Sequence, residues 1–151
     1  MPIHCDIVTQ ERLVYSKEVD IVLLPGVEGQ MGILPNHTSL LTALDFGEVV
    51  TRAGGTEEYF AIGGGFAEVQ PDRVIVLADS AESAAEIDLD RAQAARERAE
   101  KAMRETEKVD PDQYARMERE LRKAQIRIDV SRRRATKRMV GGLGPRDQES
   151  Q

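Results

Sequence analysis

Few residues in this chain have the types and spacing that chemistry needs. His37, within Gly32-Ile33-Leu34-Pro35-Asn36-His37-Thr38-Ser39-Leu40, could serve as a general base or a metal ligand. Its only histidine companion is His4, and no Cys, Asp or Glu stands at ligand spacing around it. The residues favour a loop histidine that satisfies nearby backbone groups. Gly63-Gly64-Gly65 invites a phosphate-cradling reading, but no Gly-Lys-Ser/Thr follows and no helix starts there to supply amide donors. A tight turn or a close backbone approach within a sheet accounts for the run. The acid pairs Glu57-Glu58 and Asp88/Asp90 have no nucleophile between them and read as solvated charge. Cys5 is the only cysteine, so it has no internal disulfide partner, and two histidines cannot complete a zinc cage around it. It reads as a small apolar residue on a strand. No catalytic serine, cysteine or lysine arrangement and no metal site emerges.

The elements that would hold such residues fall into two halves with different periods. Ile3, Cys5 and Ile7 alternate with His4, Asp6 and Val8, and Val19, Ile21 and Leu23 alternate with Asp20 and Val22 before Pro25-Gly26. Val49-Val50, Tyr59–Ile62 and Val74–Leu77 are further short β-branched or aromatic runs, divided by glycine and polar clusters. This pattern predicts a β-sandwich or barrel. Near Ser80 the period changes. Leu89, Ala92, Ala95, Ala99, Ala102 and Met103 recur at helical spacing from Asp88 to about Lys108. Val109-Asp110-Pro111-Asp112 breaks that pattern, with Asp110 suited to an N-cap and Pro111 to a first helical residue. Tyr114, Met117, Leu121, Ala124 and Ile128 then form a second stripe. Its large side chains face the alanine stripe of the first helix, which predicts an antiparallel αα-hairpin. Alanine buries little area, at ~25 cal/mol per Å², so the hairpin should open cheaply. The fold class is therefore α+β, an N-terminal β-sandwich followed by a C-terminal antiparallel αα-hairpin. The domains are drawn at residues 1–84, 85–138 and a polar tail, 139–151, expected to be disordered.

The net charge of -6 conceals an asymmetry. Residues 1–110 carry -11, residues 111–139 carry +6, and the remainder -1. A basic segment on an acidic body suggests an acidic partner for that segment. No basic start followed by an apolar run marks a signal peptide, and no apolar stretch approaches bilayer-spanning length.

Gly32–Leu40, then Ala61-Ile62-Gly63-Gly64-Gly65-Phe66-Ala67-Glu68-Val69, then Ile87-Asp88-Leu89-Asp90-Arg91-Ala92 form an ordered set. At this spacing they resemble the epsilon subunit of the F-type ATP synthase, bacterial type, over about residues 1–135. The resemblance implies a non-catalytic rotor subunit that couples proton-driven rotation to ATP synthesis. It implies a peripheral place on the cytoplasmic face of the bacterial plasma membrane, reached through the complex, with the gamma subunit and the c-subunit ring as partners. By the same resemblance the segment from Glu28 to Leu40, including Gly32, Pro35 and His37, is the end of the sandwich that docks on the rotor ring and gamma.

The third segment resembles the ATP-binding motif of bacterial epsilon subunits, Ile/Leu-Asp-x-x-Arg-Ala. That implies no required cofactor but ATP as a regulatory ligand, held by Glu82, Ile87, Asp88, Arg91, Ala92, Arg98, Lys123 and Arg127. A carboxylate at a helix start can accept from an adenine amino group, and guanidinium forks match phosphate oxygens. Lys123 stands where the family has an arginine, keeping the charge without the fork. The alternative is that Asp88 caps the helix and the arginines are solvated or paired with nearby acids. The basic second helix has three readings. Nucleic-acid binding lacks interleaved aromatics or a recognisable motif, and an anionic lipid surface would need an apolar face already committed to the seam. The resemblance favours the third, insertion into the catalytic head against acidic segments of the alpha and beta subunits. Arg116, Arg119, Arg122, Lys123, Arg127, Arg132, Arg133 and Arg134 are the candidate contacts, and extension of these helices is expected to inhibit ATP hydrolysis. A stand-alone nucleic-acid-binding module is the remaining alternative.

Overall fold

In a computed structural model, residues 2–105 and 110–149 are described, with side chains described as far as Arg134. The chain runs β1 (Ile3–Val8), β2 (Leu13–Val19), β3 (Ile21–Gly26), β4 (Gly29–Ile33), β5 (Leu40–Ala53), β6 (Thr56–Gln70), β7 (Arg73–Ala78) and β8 (Ala81–Ser83). A 3-10 turn at Ala84–Glu86 leads to α1 (Leu89–Glu105) and α2 (Pro111–Glu149). The strands join in the order β2-β1-β7-β6-β5-β3-β4, with β8 added to β6. β1 and β7 pair parallel, and the other pairings are antiparallel.

Two long strands turn this single sheet into a sandwich. In β6, Phe60 and Ile62 point into the core, but beyond the glycine run the core residues are Ala67 and Val69. The inward parity has shifted by one residue, and β5 shifts with it, from Leu44 to Val49. A period-2 strand can make this change only by bending. The bend falls at Gly63-Gly64-Gly65, where Gly64 and Gly65 have φ of 94° and 128°. A Cβ on Gly65 would lie 2.1 Å from the Leu77 carbonyl oxygen, and one on Gly63 would lie 2.3 Å from Ser80 Oγ. The glycine run is thus the close backbone approach expected from its composition. One half-sheet holds β2, β1, β7, the far end of β6 and the near end of β5. The other holds β8, the near end of β6, the far end of β5, β3 and β4. Their inner faces meet through Tyr15, whose ring packs edge-on to Phe60 at 4.9 Å. The buried Thr51 hydroxyl donates to the Tyr15 hydroxyl at 3.2 Å.

Three local expectations need correction. Val19, Ile21 and Leu23 do not share a face. The chain breaks at Asp20 between β2 and β3, so Val22 and Leu24 take the core positions of β3. Gly32 and Ile33 lie on an edge strand, β4, rather than in the loop that carries His37, because Met31 and Ile33 alternate into cover while Gly32 stays out. The backbone of α2 is helical through Glu149, past the boundary drawn at Arg138. Residues 132–138 are four Arg with one Ala, one Thr and one Lys, mostly good helix formers, so the helix runs on there without an apolar seam. The expected break at Val109 lies outside the described residues. Pro111 does open α2, and the Tyr114 amide donates to the Asp110 carbonyl at 3.0 Å.

A helix-covered face and a bare apolar face

The outer face of the second half-sheet is covered by α2. Val50, Tyr59 and Ala61 form a second apolar cluster there with Ala84, Ile87 and Val130, flanked by Leu23 and Ile126. Arg122, Ile126, Val130 and Arg133 recur every three or four residues, so α2 presents one stripe to the sheet. Its other buried stripe, Ala124 and Ile128, lies against α1, where Ala92 is fully buried. Arg96 donates to Gln125 Oε1 at 3.3 Å across that seam, which fixes the helices as antiparallel neighbours.

Charge outlines the sheet-facing stripe. Arg122 Nη2 donates to Asp45 Oδ1 at 3.0 Å, and its guanidinium lies 5.0 Å from the Phe46 ring centre. Arg127 faces Glu82, with Nε 2.6 Å from one oxygen and Nη2 3.2 Å from the other. Arg133 pairs with Glu48 and lies 5.7 Å from the Tyr59 ring centre. Burial raises the Glu48 carboxyl above its ordinary range, against the opposing pull of Arg133. Three of the basic side chains read from sequence as head contacts are therefore turned onto the chain's own sheet. Arg116, Arg119 and Arg132 are exposed. Lys123 and Arg134 line clefts of about 460 Å³ and 250 Å³, the first with Glu82 and Arg12, the second with Glu57, Glu58 and Tyr59.

The nucleotide-motif residues are distributed unevenly. Asp88 accepts from the Arg91 amide at 3.1 Å and caps α1. Ile87 is buried in the helix–sheet cluster, and Ala92 lets α2 approach α1 closely. Glu82, Arg127 and Lys123 come together at the edge of β8. Arg91 and Arg98 are exposed on α1, and among the described residues no hydrogen bond or ion pair joins them to that group. Below this site Arg12 makes a two-pronged contact with Glu86, at 2.9 and 2.8 Å, tying the β1–β2 loop to the 3-10 turn.

The outer face of the first half-sheet is bare. Leu13, Val8, Leu77, Phe66 and Ala43 stand in one register row across five strands. Leu13, Leu77 and Phe66 are 59%, 50% and 54% exposed, with Leu41 beside them at 70%. The five docking candidates read from the sequence do not form one patch. Glu28 sits in the β3–β4 turn, next to Val27, whose amide donates to Ala43. Pro35 and His37 follow the opposite end of β4, and a five-residue strand is about 17 Å long. Gly32 lies on β4 itself, and Leu40 opens β5 beside Val69. His37 Nδ1–H donates to the Thr38 carbonyl at 2.7 Å, the local satisfaction expected of a loop histidine. Asn36, at φ 66°, anchors this loop by donating its amide to Pro71 at 2.8 Å.

Comparison with known proteins assigns the architecture. The model of the ATP synthase delta/epsilon chain β-sandwich domain matches residues 2–84, and that of the delta/epsilon long α-helix domain matches residues 85–132. An ATP synthase epsilon chain of Dehalococcoides mccartyi is 53% identical over 131 residues, covering 85% of this chain and 91% of its own. The chain belongs to the bacterial-type epsilon family of ATP synthase subunits. The epsilon chain of Herpetosiphon aurantiacus is 50% identical, covering 89% of this chain and 97% of its own. A chain in the Euglena gracilis mitochondrial ATP synthase structure shares the fold, with a TM-score of 0.70 at 24% identity, covering 82% of this chain and 78% of that one. Within this epsilon-family chain, sequence reasoning missed Asp45, Glu48, Phe46 and Tyr59 as partners of α2. The available signal was general, an acidic body under a basic helix. Which acids face outward at the bend in β5 depends on the parity shift, which no local pattern announces. Among the described residues no group of His, Cys, Asp and Glu could hold a metal, and no helix is long and apolar enough to cross a membrane.

Proposed function

We propose that this chain is a non-catalytic central-stalk subunit of a proton-translocating ATP synthase. In this reading it helps couple rotation to ATP synthesis, and its C-terminal helices brake ATP hydrolysis when they extend into the alpha and beta subunits. The observation that carries the proposal is the two-faced sandwich of an epsilon-family chain. One outer face presents an unpartnered apolar row suited to permanent assembly, and the other holds a helical hairpin by a small apolar cluster and three ion pairs. The bare row would seat the gamma subunit, and the loops around Glu28 and His37 would meet the c-subunit ring. ATP would act as a regulatory ligand that favours the folded hairpin by binding that conformer. The complex would carry the chain at the cytoplasmic face of the plasma membrane. The experiment is deletion of everything after Ser83 in the assembled synthase. ATP hydrolysis should rise while the truncated sandwich still copurifies with the complex. Unchanged hydrolysis in a complex that retains the truncated chain would refute the braking role.

A further inference from the structure

We propose that His4 is a specificity residue of the bare face, its Nδ1 lone pair receiving a hydrogen-bond donor from the subunit that covers the apolar row, so that acid loosens that seat. The proposal rests on the reading of the bare face as the seat of the gamma subunit. His4, Asp6 and Val8 alternate with the buried Ile3, Cys5 and Ile7, so His4 shares the outer face that carries Leu77 and Phe66. It stands four residues from Val8, about 13 Å along β1. Ile75, paired with Asp6, carries the apolar surface toward it. An interface of standard size covers ~800 Å² on each side, so a partner seated on the row reaches His4.

The ring is already held in one tautomer. Its Nε2 lies 3.1 Å from Asp6 Oδ1 and 3.1 Å from Ser16 Oγ. Burial raises the Asp6 carboxyl, but the hydrogen bonds from Ser16 and His4, with Arg73 beyond them, outweigh it and hold the group below its ordinary range. An ionised carboxylate only accepts, so Nε2 carries the ring proton and donates to it. Nδ1 is left as an acceptor, and among the described residues none donates to it. The side chain is 33% exposed in the free chain. Under a partner, an acceptor without a donor would cost its desolvation, so the covering surface must supply one. Protonation turns Nδ1 into a donor and sets two donors against each other. The charged groups around His4 are Asp6 on its own strand, Glu18 opposite on β2, Arg73 opposite on β7, and Asp72 in the adjoining turn, whose carbonyl accepts from the His4 amide at 3.0 Å. Among these group types it is the imidazole that changes charge between pH 5 and 8. The complex favours the neutral ring, so binding is complete above that range and is lost as pH falls through it.

The test measures binding of the full chain to the synthase stripped of it, at fixed ionic strength from about pH 8 to about pH 5.5. His4→Asn sets an amide oxygen where Nδ1 stood, and His4→Gln sets an amide nitrogen where Nε2 stood. The first keeps the acceptor, and the second keeps only the donor to Asp6. At the upper pH His4→Asn should bind nearly as the unaltered chain does, and His4→Gln roughly tenfold more weakly. On acidification the unaltered chain should lose roughly tenfold in affinity relative to His4→Asn, whose amide does not titrate. Undiminished binding by His4→Gln at the upper pH, or parallel profiles for the unaltered chain and His4→Asn, overturns the proposal. Should either variant open the buried Cys5 to thiol reagents, nitrogen NMR of the unaltered chain replaces it. His4 should show Nδ1 bare and Nε2 protonated, the opposite of His37, whose Nδ1–H donates to the Thr38 carbonyl. The reverse tautomer at His4 overturns the proposal. Phe66→Glu separates it from the seat itself. Binding abolished there, with both His4 variants behaving like the unaltered chain, leaves the seat standing and refutes the role of His4. Full binding by Phe66→Glu refutes the seat, and the role of His4 with it.

Discussion

Single residues here owe their types to where the backbone passes. Cys5 is enclosed by the sandwich, and its thiol is pushed up to about 12 by burial, with the charge of Asp6 adding to it. It is a packing residue with no thiolate at neutral pH. Tyr15, also raised to about 12 by burial, serves as the hinge pin of the two inner faces through Phe60 and Thr51. The glycines differ sharply from one another. At Gly65 a methyl group would collide with the Leu77 carbonyl, and φ lies in the left-handed region, so Gly65→Ala should cost about 3 kcal/mol or more. At Gly32 the same methyl would find Leu23 at 3.5 Å and Ile21 at 3.8 Å, ordinary contact on a regular strand, so Gly32→Ala should change stability by less than about 1 kcal/mol. Urea denaturation of both variants decides the matter, and equal midpoints would disprove the assignment of Gly65 to the bend.

The helices show how one element can serve two partners. The stripe of Ala124 and Ile128 meets α1, and the stripe of Ile126 and Val130 meets the sheet. The first was readable as a three-four repeat. The second was hidden, because its two apolar residues are flanked by Arg122 and Arg133, which only the sheet's aromatic rings and acids make part of the contact. The nucleotide motif belongs here too, since it spans both helices. With Asp88 spent on the α1 cap and Glu82 paired with Arg127, ATP would have to displace Glu82 or recruit Arg91 and Arg98. Calorimetric titration with ATP should therefore find Arg91→Ala and Arg127→Ala weakened by roughly tenfold each, the usual scale for a lost charge-assisted bond. Affinities indistinguishable from the unaltered chain would remove both residues from the site.

Across the whole molecule, the two outer faces differ in cover, one carrying α2 and the other an exposed apolar row. The row through Leu13, Leu77 and Phe66 remains bare because β1, β7 and the far end of β6 have core partners only on their inner side. If that row seats the gamma subunit, Phe66→Glu should abolish copurification with a gamma-type subunit, since a central aromatic anchor is commonly worth about 2 kcal/mol or more. The isolated chain should still fold, because Phe66 is half exposed. Full retention of the complex would move the gamma contact elsewhere. The loops around Glu28 and His37 lie at different ends of β4, so a rotor-ring contact would use one of them or span that strand.

Much of this architecture was legible in one dimension. Period-2 and period-3.6 patterns are local consequences of backbone geometry, so they showed strands before Ser80, two helices after it, and the alanine seam between those helices. Motif order at fixed spacing pointed to the family. What the chain could not disclose in that form was the parity shift at Gly63–Gly65, which turns Asp45, Glu48 and Tyr59 toward α2 and leaves Phe66 facing outward. That outcome depends on two strands bending together and on a backbone approach between residues far apart in the chain. Facing, unlike period, is a property of the assembled sheet, and it is facing that gives the arginines of α2 their present partners.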